Sequence, residues 1–137
     1  MTPTLAGRWQ TRLLLLGTAG LAITLLFAMW VHDLSTPVTV LVLVLVLGFG
    51  WDVLYQFCQR FRWDGDWPPW AQAIAGLWEG FAAFRVAMFT GVLESSDLGM
   101  MAFVVHYGAV WLTTFLIAQG PLKIFLPRWR YRGGEWL

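Results

Sequence analysis

Four titratable side chains, Asp52, Glu79, Arg85 and His106, lie inside runs of sequence otherwise apolar enough to cross a bilayer. A charge at the centre of a helix in lipid costs about 2.5–3.5 kcal/mol on insertion scales, so such groups are expected to face a bundle interior or a cavity. Two acids, a guanidinium and an imidazole could bind a cation or relay a proton. Asp52 and Glu79 would then be the binding acids, with Arg85 and His106 as counter-charge and relay. The alternative reading is interhelical glue: acids bonded across helices, an Arg85 that snorkels to the interface, and a neutral core histidine.

The elements that must position these groups are apolar runs at 13–31, 37–57, 71–93 and 99–119, each about 20 residues and so long enough to span a bilayer. With 58% hydrophobic and 12% charged residues, the chain has too little polar surface for a soluble globule. The tract 38–47 is rich in β-branched residues and reads locally as strand. Lipid overrides that reading, because a spanning segment must satisfy its own backbone groups. Pro37 suits the first turn of a helix, Pro68-Pro69 opens the third run, and Gly120-Pro121 closes the fourth. The links at 32–36, 59–70 and 94–98 are short, which predicts an all-α membrane protein with four transmembrane helices in an up-down antiparallel bundle. Val31 and His32 stand where a signal peptide would need small residues, so the first run is expected to be retained.

Eight of the nine basic residues flank the runs on one side: Arg8, Arg12, Arg60, Arg62, Lys123, Arg128, Arg130 and Arg132. The opposite links carry acids only, Asp33 in one and Glu94 and Asp97 in the other. By the positive-inside rule both termini are cytoplasmic, in a plasma (inner) membrane. Trp9, Trp30, Trp51, Trp63, Trp67, Trp70 and Trp129 fall near span ends, where indoles anchor at the headgroups. The tail 121–137 alternates cations and rings, so Arg128, Trp129, Arg130 and Arg132 are expected to contact lipid headgroups.

Helical rise places Asp52 about 8–9 Å and Glu79 about 12 Å from the inner end, with Arg85 about 9 Å further out than Glu79. His106 falls near the depth of Arg85, so an inner acidic layer and an outer basic layer are expected. Asp52 shares its face with Gly48, Tyr55, Gln56 and Gln59, making Tyr55 and Gln56 further candidates for ion or substrate binding. Gly76, Gly80 and Ala83 on the third run, and Ala102 and Ala109 on the fourth, form small-residue faces for helix packing.

Weaker patterns add little. Asp64-Gly65-Asp66 is read as a turn rather than a metal or nucleotide-sugar motif. Ser95-Ser96 with Asp97 and His106 lacks any nucleophile elbow. Cys58 stands alone, so no intrachain disulfide or cysteine metal cluster can form, no metal site is expected, and no cofactor is implied. The few cations form no nucleic-acid patch. The leading expectation is a non-catalytic subunit of a homo-oligomer or larger membrane complex, with the bilayer and other membrane subunits as partners. A small oligomeric ion- or proton-coupled transporter or channel is the alternative. A lipid-modifying enzyme using Asp64, Asp66 and the basic tail ranks last.

Overall fold

Thr4 sets where the first helix begins, and that start controls everything at the site. Its backbone is extended and its hydroxyl accepts from Gly7 N at 3.0 Å, an N-cap that opens α1 (Leu5–Leu15) two turns before the apolar run. The computed structural model describes residues 3–93 and 99–135, and of Arg130 the backbone alone. A π-helical turn, Leu16–Gly20, joins α1 without a break to α2 (Leu21–Val31). His32 ends α2 in the left-handed conformation (φ 57°), its N–H bonding the Ala28 carbonyl. Asp33 Oδ1 then accepts from Ser35 N (2.9 Å) and Thr36 N (3.3 Å), starting α3 (Ser35–Gln59).

The β-branched tract 38–47 is helical throughout. Pro69 stands at the first turn of α4 (Pro69–Phe89), and α5 (Met100–Gln119) stops at Gly120. Two short helices follow, α6 (Pro121–Phe125) and α7 (Pro127–Tyr131). Among the described residues no strand occurs. Glu94, Ser95, Ser96 and Asp97 lie outside the described residues.

Three stretches are long and apolar enough to cross a membrane: Leu5–Val31, Ser35–Gln59 and Met100–Phe125. The run expected at 71–93 forms α4 but is not among them, because Gln72, Glu79 and Arg85 and its small residues dilute its hydropathy. The burial pattern agrees with a membrane protein. Large apolar side chains such as Trp30, Val46, Phe57, Trp78 and Leu116 are exposed, while Thr24, Asp52, Gln59, Glu79 and His106 are buried. Water would penalise such a surface, whereas lipid solvates it.

The core divides into two parts. The larger gathers Leu16, Val40, Leu41, Val44, Ala83, Ala87, Leu93, Phe103 and Val110. A smaller cluster of Leu15, Ala118, Leu122 and Trp129 lies near the chain ends. The chain ends themselves meet, with Thr4 N donating to Gly133 O at 2.9 Å. Gly7 is glycine for a reason here, since a Cβ would overlap the Gly133 carbonyl. We call this half of the bundle the termini side, and the half around Thr24 and His106 the far side.

Candidate functional site

The two buried acids meet on a cation from the first helix. Because α1 starts at Leu5, Arg12 lies about 10 Å inside the helix rather than beside it. Its Nε and Nη2 donate to the two carboxylate oxygens of Asp52, each at 2.8 Å. Its Nη1 and Nη2 donate to the two oxygens of Glu79 at 2.9 and 3.1 Å. One guanidinium thus forks onto carboxylates from two other helices, a planar geometry that lysine cannot supply. Asp52 is 3% and Glu79 8% exposed, so Arg12 is what makes two neighbouring buried carboxylates tenable. Gly48, one turn from Asp52, makes room, because a Cβ there would overlap the guanidinium.

The α4–α5 contact is built by the same device. A Cβ on Gly76 would overlap the Trp111 indole, and one on Gly80 the Tyr107 ring. Tyr107 OH donates to the Gly76 carbonyl at 2.6 Å. Arg8, one turn before Arg12, donates from Nη2 to Gln59 Oε1 at 2.8 Å and lies over the Trp67 ring, 4.7 Å from its centroid. Its Nε is buried with no acceptor among the described residues.

These groups line a partly open cavity of about 190 Å³ that runs from Asp52 and Glu79 to Pro3 and Lys123. Its aromatic wall is Trp67, Trp111, Phe115 and Trp129. Its amide wall is a chain in which Lys123 Nζ donates to Gln119 Oε1 and Gln119 Nε2 donates to Gln72 Oε1 at 2.6 Å. A cavity of this size, lined in part by polar groups, has room for several waters. It ends at the triad. One helical turn further stand Leu16, Gly48 and Ala83, all buried, and then the apolar core.

The tail forms one flank of the cavity. Trp129, expected at the headgroups, is 5% exposed, and its Nε1 donates to Thr11 Oγ1 at 2.7 Å. Thr11 in turn donates to Gly134 O at 3.1 Å. The indole is drawn inward because it finds both an apolar cluster and an acceptor there. Arg128 and Arg132 remain exposed.

The expected two-layer arrangement is not what the side chains form. Arg85 is exposed on α4, about 6 Å from its Phe89 end, among the exposed side chains of Trp78, Phe81 and Met88. His106 is buried elsewhere, with its ring 5.0 Å from Phe27 and Nε2 2.9 Å from Thr24 Oγ1. Thr24 already donates to Gly20 O at 2.8 Å, which makes His106 Nε2 the donor in that contact. Tyr55 lines the cavity, and its hydroxyl lies 3.4 Å from the Ala75 carbonyl. Gln56 does not line it, and its Oε1 is buried without a partner among the described residues. Gly76, Gly80 and Ala83 are buried in α4, whereas Ala102 and Ala109 are half-buried. Asp64 and Asp66 form a turn, with Asp66 N bonded to Asp64 Oδ1 at 3.1 Å and Arg62 paired with Asp64 at 2.9 Å. No group of metal-ligating side chains occurs among the described residues.

Arg12 and Arg8 are the site residues that a flanking-charge reading hides. Both read as topology signals because the apolar run starts at Leu13. The usable signal was Thr4: a cap there puts Arg8 and Arg12 four residues apart on one helix face. Compared with protein-family models, curated proteins and solved structures, the chain gives no match.

Proposed function

We propose that this chain is a non-catalytic, ligand-binding subunit of the plasma (inner) membrane. In this reading four helices span the bilayer up-down and both termini are cytoplasmic. The pairings Arg8–Gln59, Arg12–Asp52 and Thr4–Gly133 support that order, and the flanking cations support the orientation. The observation that carries the binding role is the partly open cavity lined by Asp52, Arg12 and Glu79 among apolar and aromatic walls. Structural glue alone needs a dry seam, not a cavity with room for several waters. Both acids are occupied by double contacts with Arg12, and no histidine or cysteine lines the cavity among the described residues.

Native mass spectrometry of the purified protein tests this reading. A small adduct should survive on the native chain and disappear in Thr114→Phe, which fills the cavity from a residue whose hydroxyl bonds only its own helix. Adduct-free native protein, with no small molecule displaced on denaturation, would sink it.

Association along α4 belongs to the same proposal. This helix falls short of the apolarity of the other three and turns Arg85 outward, where a neighbouring subunit could cover it. Arg85→Leu should then shift the oligomer distribution without lowering subunit stability. A transporter remains the second reading, favoured by one feature: the π-helical turn Leu16–Gly20 lies between the triad and Thr24. Such turns recur at functional sites and permit register shifts.

A further inference from the structure

The cavity's charges are unevenly matched. Each oxygen of Asp52 and Glu79 accepts from Arg12, whose two forks use four of the five guanidinium donors. Arg8 is different. Its charged neighbour along α1 is Arg12, a like charge; Asp52 and Glu79 act on it only from beyond contact, and its direct contacts are neutral, an amide at Gln59 and the face of Trp67. Among the described residues no carboxylate stands within ion-pair distance of it, and its Nε has no acceptor at all. A buried donor left unmatched costs the desolvation of that group, more for a charged one, and calls for a water, an ion or a ligand; only an anion would also balance the charge. Lys123 lies on the opposite wall, bonded to Gln119. Trp67, Trp111, Phe115 and Trp129 give the rest of the wall an apolar face.

We infer that the cavity binds an amphipathic anion, with a phosphate-like or carboxylate head seated against Arg8 and a short apolar portion along the indoles. This rests on the proposal that the cavity is a ligand site. The head could be that of an acidic lipid or of a free small anion, since both present the same oxygens to the guanidinium. An anion there supplies the acceptor that Arg8 lacks without disturbing the triad. A cationic ligand would have to compete with Arg12 for acids already bound in pairs.

Calorimetric titration of the full chain in phosphatidylcholine nanodiscs tests this with three probes: hexyl phosphate, inorganic phosphate and hexyltrimethylammonium. Hexyl phosphate should bind saturably, inorganic phosphate more weakly, and the cation not at all. Arg8→Gln should weaken hexyl phosphate about tenfold or more, the loss of one charge-assisted contact, whereas Arg8→Lys should recover part of it. Arg128→Gln, an exposed cation away from the cavity, should leave binding unchanged. Replacing a fraction of the lipid with phosphatidylglycerol separates the sources. Competition with hexyl phosphate supports a lipid head, and its absence supports a free anion. Equal binding by wild type and a folded Arg8→Gln, or preference for the cation, would overturn the inference while leaving a ligand site in place. If none of the probes binds and no adduct is seen by mass spectrometry, the ligand-site reading falls with it.

Discussion

The two halves of the bundle solve the same problem, buried polar groups in an apolar molecule, with different means. On the termini side one guanidinium holds two carboxylates, and hydrogen bonds reach helices α1, α3, α4 and α5. On the far side a single hydroxyl meets a single imidazole inside close apolar packing. The first half keeps a cavity of about 190 Å³ beside its polar groups; the void beside His106 measures about 10 Å³. The difference indicates where binding can occur. Ions that are merely structural can be packed dry, whereas a cavity beside them keeps the polar network reachable.

The largest test of that contrast is at Arg12. Arg12→Met leaves Asp52 and Glu79 buried and unpaired, and should cost about 3–5 kcal/mol in denaturant or thermal unfolding in detergent. Adding Asp52→Asn and Glu79→Gln removes both stranded charges and should restore much of the loss. A triple variant as unstable as Arg12→Met would mean the triad is not the unit described. Next come the glycines. Gly48→Ala forces the Arg12 guanidinium aside and Gly76→Ala the Trp111 indole, each costing about 1–3 kcal/mol by overpacking. Alanine at Gly17 or Gly50, where a Cβ meets nothing within 4 Å, is the matched control.

The far side should respond less. Thr24→Val strips the partner from His106 and is expected to cost about 1–2 kcal/mol, with Thr24→Val/His106→Leu recovering part of it. The smallest effect is at Asp33, outside the helices. Hydrogen bonds from Thr36 and Ser35 hold its carboxyl below the usual range. A carboxyl whose pKa is lower folded than unfolded stabilises the fold above its unfolded value, about 3.9, and that gain is lost as pH falls through the folded value. The melting temperatures of wild type and Asp33→Ala should therefore differ near neutrality and converge below about pH 4.

Sequence periodicity and hydropathy found the apolar helices, because lipid leaves a spanning segment few alternatives and Pro69 and Gly120 mark two ends; they missed the start of α1 at Leu5 and the short helices α6 and α7. Asp52 and Glu79 were legible as a pair at one depth, since rise per residue alone places them. Their partner was not. Arg12 and Arg85 are the same residue type, and Arg85 lies deeper in an apolar run, so composition favours the wrong arginine. Only the rotation of α4 decides it, turning Glu79 inward and Arg85, six residues later, outward. The inward turn of Trp129 was equally hidden, because it depends on contacts between opposite ends of the chain.

On this reading the termini-side cavity is wet and closed beyond the triad. In a Cys58→Ser background, single cysteines at Ala75 and Thr114 in the cavity, and at Val44 and Ala87 beyond it, can be probed with a membrane-impermeant thiol reagent on vesicles of either orientation. Labelling of the first two from the cytoplasmic face alone, with the second two protected from both faces, is the predicted result. Protection of all four positions, or labelling of Val44 and Ala87, would contradict it.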